Sequence, residues 1–459
     1  MKKLSIITVA GLLVILLSHC HKAEVAPDSM YDDRLSGGKA TVFDQTSHAF
    51  SNVIDGLGAR DQRVHDLGDQ TFEASFVAPP SKIFGGLGSI YNNVSCINCH
   101  RNDGGGFPST GTASSGLLMR ISQAGTDPHG GPLAVEGYGT QIQDQAVLGY
   151  DPEASVVISY AESIFTYPDG TTVSLRKPAY ALQNPYLPFQ APYMLSPRLA
   201  PPLVGIGLLE DIPESTIQSF IDPGDQNGDG IIGKQNIVYD GYTGEYVPGR
   251  FGLKANTSTL LLQVATAYQQ DMGVTSFVTP LENSFGQLQW PSATNTGKPE
   301  LPDSLLNFVT FYIRTLAVPA RRNVNDPDVQ AGSVIFNQIN CSGCHRPTIT
   351  TGPDFNLPQL SGQRIHPYTD MLLHDMGEGL SDNRPDFLAT GSEWRTQPLW
   401  GLGLLQKTTG TAFYLHDGRA RTIEEAILWH NGEASKAKQA FVGLTSRERN
   451  QLINFLNSL

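Results

Sequence analysis

The run Cys96-Ile97-Asn98-Cys99-His100 returns in form as Cys341-Ser342-Gly343-Cys344-His345. Each is Cys-x-x-Cys-His, and the spacing has a chemical reason. Two thiols placed this way reach the two vinyl groups on one edge of a porphyrin, and the imidazole that follows folds under the ring to the iron. A thioredoxin-like redox pair would not need the histidine. A four-cysteine zinc site would have to join pairs that lie far apart in the chain, each with its own His. The chain is therefore expected to carry two covalently bound c-type haems. Cys96, Cys99, Cys341 and Cys344 are the attachment points, and His100 and His345 the proximal iron ligands.

The fifth cysteine, Cys20, closes an apolar stretch, Leu4 to Leu17, that follows Lys2 and Lys3. This is a secretory signal, with a core too short to span a bilayer. A Cys at that place matches the lipidation site of a lipoprotein, although His19 stands where a small residue is usual. The expected location is the periplasmic or cell-surface side of a bacterial membrane, with a lipid anchor at Cys20. The net charge of -13 argues against a nucleic-acid partner and is compatible with a basic electron donor.

With 47 Gly and 30 Pro in 459 residues, long structured loops are expected around short helices. The sequence divides into a signal at 1–20, a tether at 21–36, an N-terminal haem domain at 37–317, a linker at 318–327 and a C-terminal domain at 328–459. In the C-terminal part, Asp326 caps a helix with Val329, Val334, Ile335 and Phe336 on its apolar side. Thr445 and Glu448 form a capping box before Leu452, Phe455, Leu456 and Leu459. The first half closes on a helix from Ser304 to Leu316, with Leu305, Leu306, Val309 and Tyr312 inward. The stretch 101–250 reads as a Gly/Pro-rich insertion, in which Thr171, Val173 and Leu175 alternate as in a short strand or hairpin. The expected fold is mainly α: two cytochrome c-like domains with long loops, and an insertion with short strands in the first.

Beyond the haem motifs, several runs resemble one family. They are Leu35 to Thr41, Tyr138 to Gln143, Gly249 to Ala255 with Asp271-Met272-Gly273, Asp370 to Gly377, Pro398 to Gly401, and His416-Asp417-Gly418-Arg419 leading to Glu424-Glu425-Ala426-Ile427-Leu428-Trp429-His430. Together they resemble the bacterial di-haem oxidoreductases, relatives of the di-haem cytochrome c peroxidases and of the di-haem maturase of methylamine utilisation. The resemblance covers nearly the whole mature chain. It implies one haem that handles peroxide and one that passes electrons.

For the second haem, His366, Met371, His374, Met376, His416 and His430 are candidate sixth ligands. The resemblance points to His430, the residue after the Glu-Glu-Ala helix, with Met376 in reserve. For the first haem, His65 and His129 read as loop histidines. The resemblance points to Asp271 as the acid/base that moves a proton between peroxide oxygens, where the peroxidases carry Glu, and Gln263 is placed to orient the bound oxygen. It also implies an aromatic between the haems. Leu253 stands where Trp is common, which leaves Trp400 and Trp429 as aromatics of the second half. Asp225, Asn227 and Asp229, with Gly230, match the first half of an EF-hand loop, but Asn236 holds the twelfth position. The loop is either a structural calcium site or an Asx-rich turn.

The leading function is reduction of hydrogen peroxide at the N-terminal haem. Electrons come through the C-terminal haem from a small cytochrome or cupredoxin. The alternatives are a non-catalytic di-haem electron carrier and an oxidative maturase of a partner protein.

Overall fold

Six helices hold the two motifs: α1 (Ala59–Glu73), α2 (Leu260–Met272), α3 (Asp303–Arg314), α4 (Pro327–Gln338), α5 (Ile423–Trp429) and α6 (Ser446–Ser458). The computed structural model describes residues 32–81, 83–290 and 298–459. The signal segment and Cys20 lie outside the described residues. Side-chain oxygens at the N-termini of four of these helices accept otherwise orphaned backbone N–H groups. Thr259 caps α2, Asp326 caps α4, Thr422 caps α5, and Thr445 with Glu448 forms the expected capping box on α6.

The helix before each motif packs on the closing helix of its half in the same way. A β-carbon added at Gly68 of α1 would lie 2.2 Å from the Phe308 carbonyl oxygen and 2.6 Å from Tyr312 Cβ on α3. At Gly332 of α4 it would lie 2.0 Å from the Gln451 carbonyl oxygen and 2.7 Å from Phe455 Cβ on α6. Each glycine lets two backbones touch. Four residues on, Phe72 and Phe336 are buried, with ring centroids 6.3 Å from His100 and 6.5 Å from His345. Each fully buried ring contributes on the order of 1.5–3 kcal/mol and places its histidine against a rigid wall. Val334, expected on the apolar side of α4, is instead 54% exposed; Gly332 is the residue that faces α6.

The mainly α expectation is overturned. Helix accounts for 29% and strand for 19% of residues, and the strands form many small sheets, so the fold is mixed. The insertion supplies much of the difference. Leu117–Gln123 (β1) pairs antiparallel with both Gln141–Ile142 and Tyr193–Leu199 in a three-stranded sheet. Between them Ser155–Thr166 (β2) and Thr172–Gln183 (β3) form a hairpin of twelve residues per strand, in register from Ser155↔Gln183 to Thr166↔Thr172. The alternation at Thr171, Val173 and Leu175 marked this hairpin but not its length. At the base of the hairpin Val156, Tyr180 and Leu182 pack on the core of the three-stranded sheet, and the stretch Tyr160 to Ser163 is exposed.

The hairpin tip joins the second half. Tyr167 is 2% exposed and sits in a core with Phe336, Phe441, Leu452 and Phe455. A second core mixes Phe50, Val204 and Leu208 with Ile349, Leu360 and Trp400. The stretch 318–327 is paired rather than free. Val318 and Pro319 run parallel to Thr41 and Val42, and Arg322 N–H donates to the Ser458 carbonyl. Residues Arg34–Leu459 pack as one compact unit. Among the described residues no helix is long and apolar enough to cross a membrane.

Gly332→Ala must separate α4 from α6 and is expected to cost about 1–3 kcal/mol. Gly58→Ala, where the added carbon meets nothing within 4 Å, is the control and should stay within about 0.5 kcal/mol. Guanidinium unfolding of the holoprotein measures both.

Candidate functional site

Both motifs present the histidine identically. Cys96–Cys99 forms one helical turn, His100 N–H donates to the Cys96 carbonyl at 3.0 Å, and His100 Nδ1 lies 2.8 Å from the Pro201 carbonyl oxygen. In the second, His345 N–H donates to the Cys341 carbonyl at 3.0 Å, and His345 Nδ1 lies 2.9 Å from the Tyr368 carbonyl oxygen. A carbonyl can only accept, so Nδ1 carries the proton and Nε2 keeps its lone pair. Burial pushes both imidazoles down to about 4, against the opposing hydrogen bonds, so they are neutral at pH 7. A neutral ring held at Nδ1 with Nε2 free is the form that ligates iron.

His430 repeats the arrangement. It follows α5, and its Nδ1 lies 2.8 Å from the Ala426 carbonyl oxygen; burial lowers its pKa. His430 and His345 line one cavity of about 340 Å³ together with Cys341, Cys344, Phe336 and Leu380. The residues fit a haem: two thiols, free Nε2 atoms at His345 and His430, and an otherwise largely apolar wall. Burial pushes the Cys341 thiol up to about 12, so it rests protonated.

Among the other candidates for a sixth ligand, His416 shares the arrangement of His430, whereas His374 does not. Met376 and His416 also line the cavity. His416 has Nδ1 3.2 Å from the Pro197 carbonyl oxygen, stacks on Trp394 at 3.6 Å, and leaves Nε2 buried and unpaired. His374 is occupied at both nitrogens, Nε2 by Asp370 and Nδ1 by Glu433, each at 2.8 Å. Burial works against its charge, but Asp370 first among its neighbours outweighs that and holds it well above the ordinary histidine value. His366 bonds Thr348, and Met371 is packed in the core with its sulfur 3.5 Å from Arg395. Leu253 and Trp400 line the same cavity, whereas Trp429 lies under the Arg419 guanidinium.

The first motif has different company. Asp271, on the last turn of α2, sits close enough to raise the pKa of both Cys96 and Cys99, in addition to the larger effect of burial. Its place is fixed by the backbone. Gly273 ends α2 in the left-handed region at φ 69°, where a β-carbon would lie 2.6 Å from Gly88 Cα. Asn92 and Asn93 N–H both donate to the Asp271 carbonyl. The Asp271 carboxylate accepts from Gln141 Nε2 at 2.8 Å. Burial raises its pKa, and Arg120 is the first group that opposes the rise. A buried carboxyl whose pKa is raised beside a fixed donor is a candidate proton-transfer group.

Gln263 is not beside it; its Oε1 accepts from Thr257 Oγ1 at 2.6 Å at the other end of α2. Gln141 is the glutamine that the fold brings to Asp271. It also donates to Asn92 Oδ1 at 2.7 Å, and its own Oε1 is buried without a partner. His65 lies in α1, not in a loop, with Nδ1 2.8 Å from Thr315 Oγ1, and His129 stacks on Tyr239 at 3.8 Å. Among the described residues of the first half, no second imidazole is held on a backbone carbonyl as His100 is.

A family model for "Di-haem oxidoreductase, putative peroxidase" matches residues 31–459. The chain belongs to the di-haem oxidoreductase family. Haem is accordingly the cofactor of this di-haem oxidoreductase. No curated protein matches it. Among solved structures, hydrazine synthase of Kuenenia stuttgartiensis, pressurised with 20 bar xenon, aligns at 14% identity over 89% of this chain and 96% of its own, with a TM-score of 0.32. A likeness that distant bears on neither fold nor function.

Two features of the di-haem oxidoreductase were not readable in its sequence. Pro201 accepts from His100 and also lines the second cavity, so one residue touches both sites. Gln141 reaches Asp271 across 130 positions. Its only signal was membership of the Tyr138 to Gln143 run.

The Asp225 loop closes on itself. Asp225 Oδ1 accepts from Gly230 N–H, Asn227 Oδ1 from Asp229 N–H, and Asp229 Oδ1 from Ile231 N–H. Asn236 is fully buried and bonds the Lys254 and Asp386 carbonyls and Leu388 N–H. Among the described residues, Cys344, Asp370 and His374 form a group of His, Cys, Asp or Glu with metal-ligand spacing.

Glu433 accepts from His374, Ile232 N–H, Gly233 N–H and Asp375 N–H. Burial opposes its charge, but the hydrogen bond from His374, first among its partners, holds it down at about 2, from 4.5. A depressed carboxylate stabilises the fold above its unfolded pKa and loses that contribution as pH falls through the folded one. Native protein is therefore expected to exceed Glu433→Gln in unfolding free energy by on the order of 2 kcal/mol near neutrality. The gap should close between pH 4.5 and about 2 in guanidinium titrations across that range.

Proposed function

We propose that the protein reduces hydrogen peroxide to water at its first haem site and draws the electrons through the second. One observation carries this reading. Beside His345 the second site has further imidazoles anchored on backbone carbonyls, His430 and, at the cavity wall, His416, whereas the first has His100 and a partly buried carboxyl, Asp271. A bis-imidazole site suits electron storage, and a site with one imidazole and a proton donor suits chemistry. When bound, haem supplies a peroxide-reducing centre in the first site and an electron store in the second.

The chain supplies the rest. Reduction consumes two protons and two electrons, and yields two waters. Burial raises the Asp271 pKa against Arg120, so the carboxyl takes up a proton more readily than a solvated one, and Gln141 orients it. The Pro201 carbonyl on His100 and the Ala200-Pro201-Pro202 lining of the second cavity make a short covalent and hydrogen-bonded bridge between the sites. Each thiol pair is placed to add S–H across the porphyrin vinyl groups, which forms C–S bonds without net oxidation. The signal and Cys20 put this work outside the cytoplasm, tethered by lipid, with a small cytochrome or cupredoxin as donor.

Asp271→Asn keeps an oxygen for Gln141 but cannot supply the proton. Peroxide turnover is expected to fall about 10²- to 10⁴-fold, with two haems still attached in the mass spectrum of the denatured chain. EPR of the oxidised and half-reduced protein before and after peroxide provides the stricter test. Haem signals unchanged by peroxide in both states would sink the peroxidase reading in favour of an electron carrier.

A further inference from the structure

The Asp225 loop of the first half touches both elements that carry the second site's histidines. On one side, Asn340 Nδ2, just before Cys341, donates to Asp229 Oδ2 at 3.1 Å. Ile231 packs so closely on Gly343 that a β-carbon there would lie 2.3 Å from Ile231 Cδ1. Ile231 also lines the cavity. On the other side, Ile232 and Gly233 N–H donate to Glu433 Oε2 at 2.8 and 3.1 Å, and Lys436 Nζ donates to the Gly228 carbonyl at 2.9 Å.

Glu433 stands three residues after His430. Its remaining bonds, from His374 at 2.8 Å and Asp375 N–H at 3.0 Å, tie it to the strand Leu373–Asp375. Gly432 between them has φ 57°, and a β-carbon there would lie 2.1 Å from the Asp375 carbonyl oxygen. The chain beyond His430 thus has no freedom to shift unless Glu433 releases it. The N-terminal side of α5 is gripped as well. Glu425 Oε1 accepts from Arg176 N–H at 2.7 Å, and Arg421 pairs with Glu162 at 3.0 Å, both partners coming from the β2–β3 hairpin.

We infer that Glu433 is a positioning residue: through it the first half clasps the His430 segment and sets how His430 meets the second iron. This rests on the reading of His430 as that ligand. The acidic loop then has its role as the fixed side of the clasp. A loosened clasp lets the imidazole drift, which weakens its bond to the iron without removing it.

The test uses purified holoprotein and low-temperature EPR with a redox titration. His430→Ala comes first, and should convert one low-spin signal to high spin. If it leaves both haem signals unchanged, the ligand reading fails, and the clasp with it. Given that conversion, Glu433→Ala should give a partial loss of the same low-spin signal and a shift in that haem's midpoint potential, with the first haem's signal unchanged. Glu433→Gln, which keeps an oxygen for the backbone donors, should restore most of the signal. A Glu433→Ala spectrum and potential identical to wild type would overturn the clasp while the ligand reading stands. Should Glu433→Ala fail to fold, exposed Lys436→Met and Asp229→Ala decide, with a smaller loss of the same signal expected. Wild-type spectra in both would overturn the proposal.

Discussion

A hydrogen bond from an imidazole N–H to a backbone carbonyl is the interaction on which the sites depend. It occurs at His100, His345 and His430, with carbonyls from Pro201, Tyr368 and Ala426. Burial alone would leave each ring free to choose its tautomer and to turn. The carbonyl removes both freedoms, and because it cannot donate, it commits the other nitrogen to an electron-pair role. Two of the three acceptors, at Pro201 and Tyr368, lie outside any regular element. The long Gly- and Pro-rich loops are therefore parts of the site, and their conformation must be as well determined as that of the helices.

Charge is handled differently at the two sites. The first half buries Asp271 near Arg120 and Gln141. Close by, Arg198 and Lys254 pair with Asp382 and Asp386 from the second half, where Arg384 also holds Asp386. Such pairs are weak evidence of stability, since their desolvation offsets much of the attraction. Their geometry fixes the register of the two halves. Lys254 has no exposed surface and sits 4.3 Å from the Trp394 ring, which in turn stacks on His416 at the cavity wall.

What could be read in the sequence was local. The caps at Asp326 and Thr445 and the inward faces of the closing helices are set by neighbours within a few residues, and they stand. The fold class failed because pairing partners of two-residue strands, such as Thr41 with Val318, leave no periodic trace. Gln263 stood out over residues such as Gln141 for a related reason. Proximity along one helix was visible, whereas a sheet that delivers a side chain across 130 positions was not. His430 stood out only by its place after the Glu-Glu-Ala helix; its cavity and its carbonyl partner are properties of the folded chain.

Tyr167 illustrates what this interleaving entails. It fills the core of the second half, yet it is made some 280 positions before Phe441 and Leu452, beside which it is buried. Closing so long a loop costs entropy before any contact rewards it. The second half therefore has a hole where that ring belongs until the hairpin arrives. A chain cut near residue 320 would yield a C-terminal fragment with its motif intact and its interior open to water.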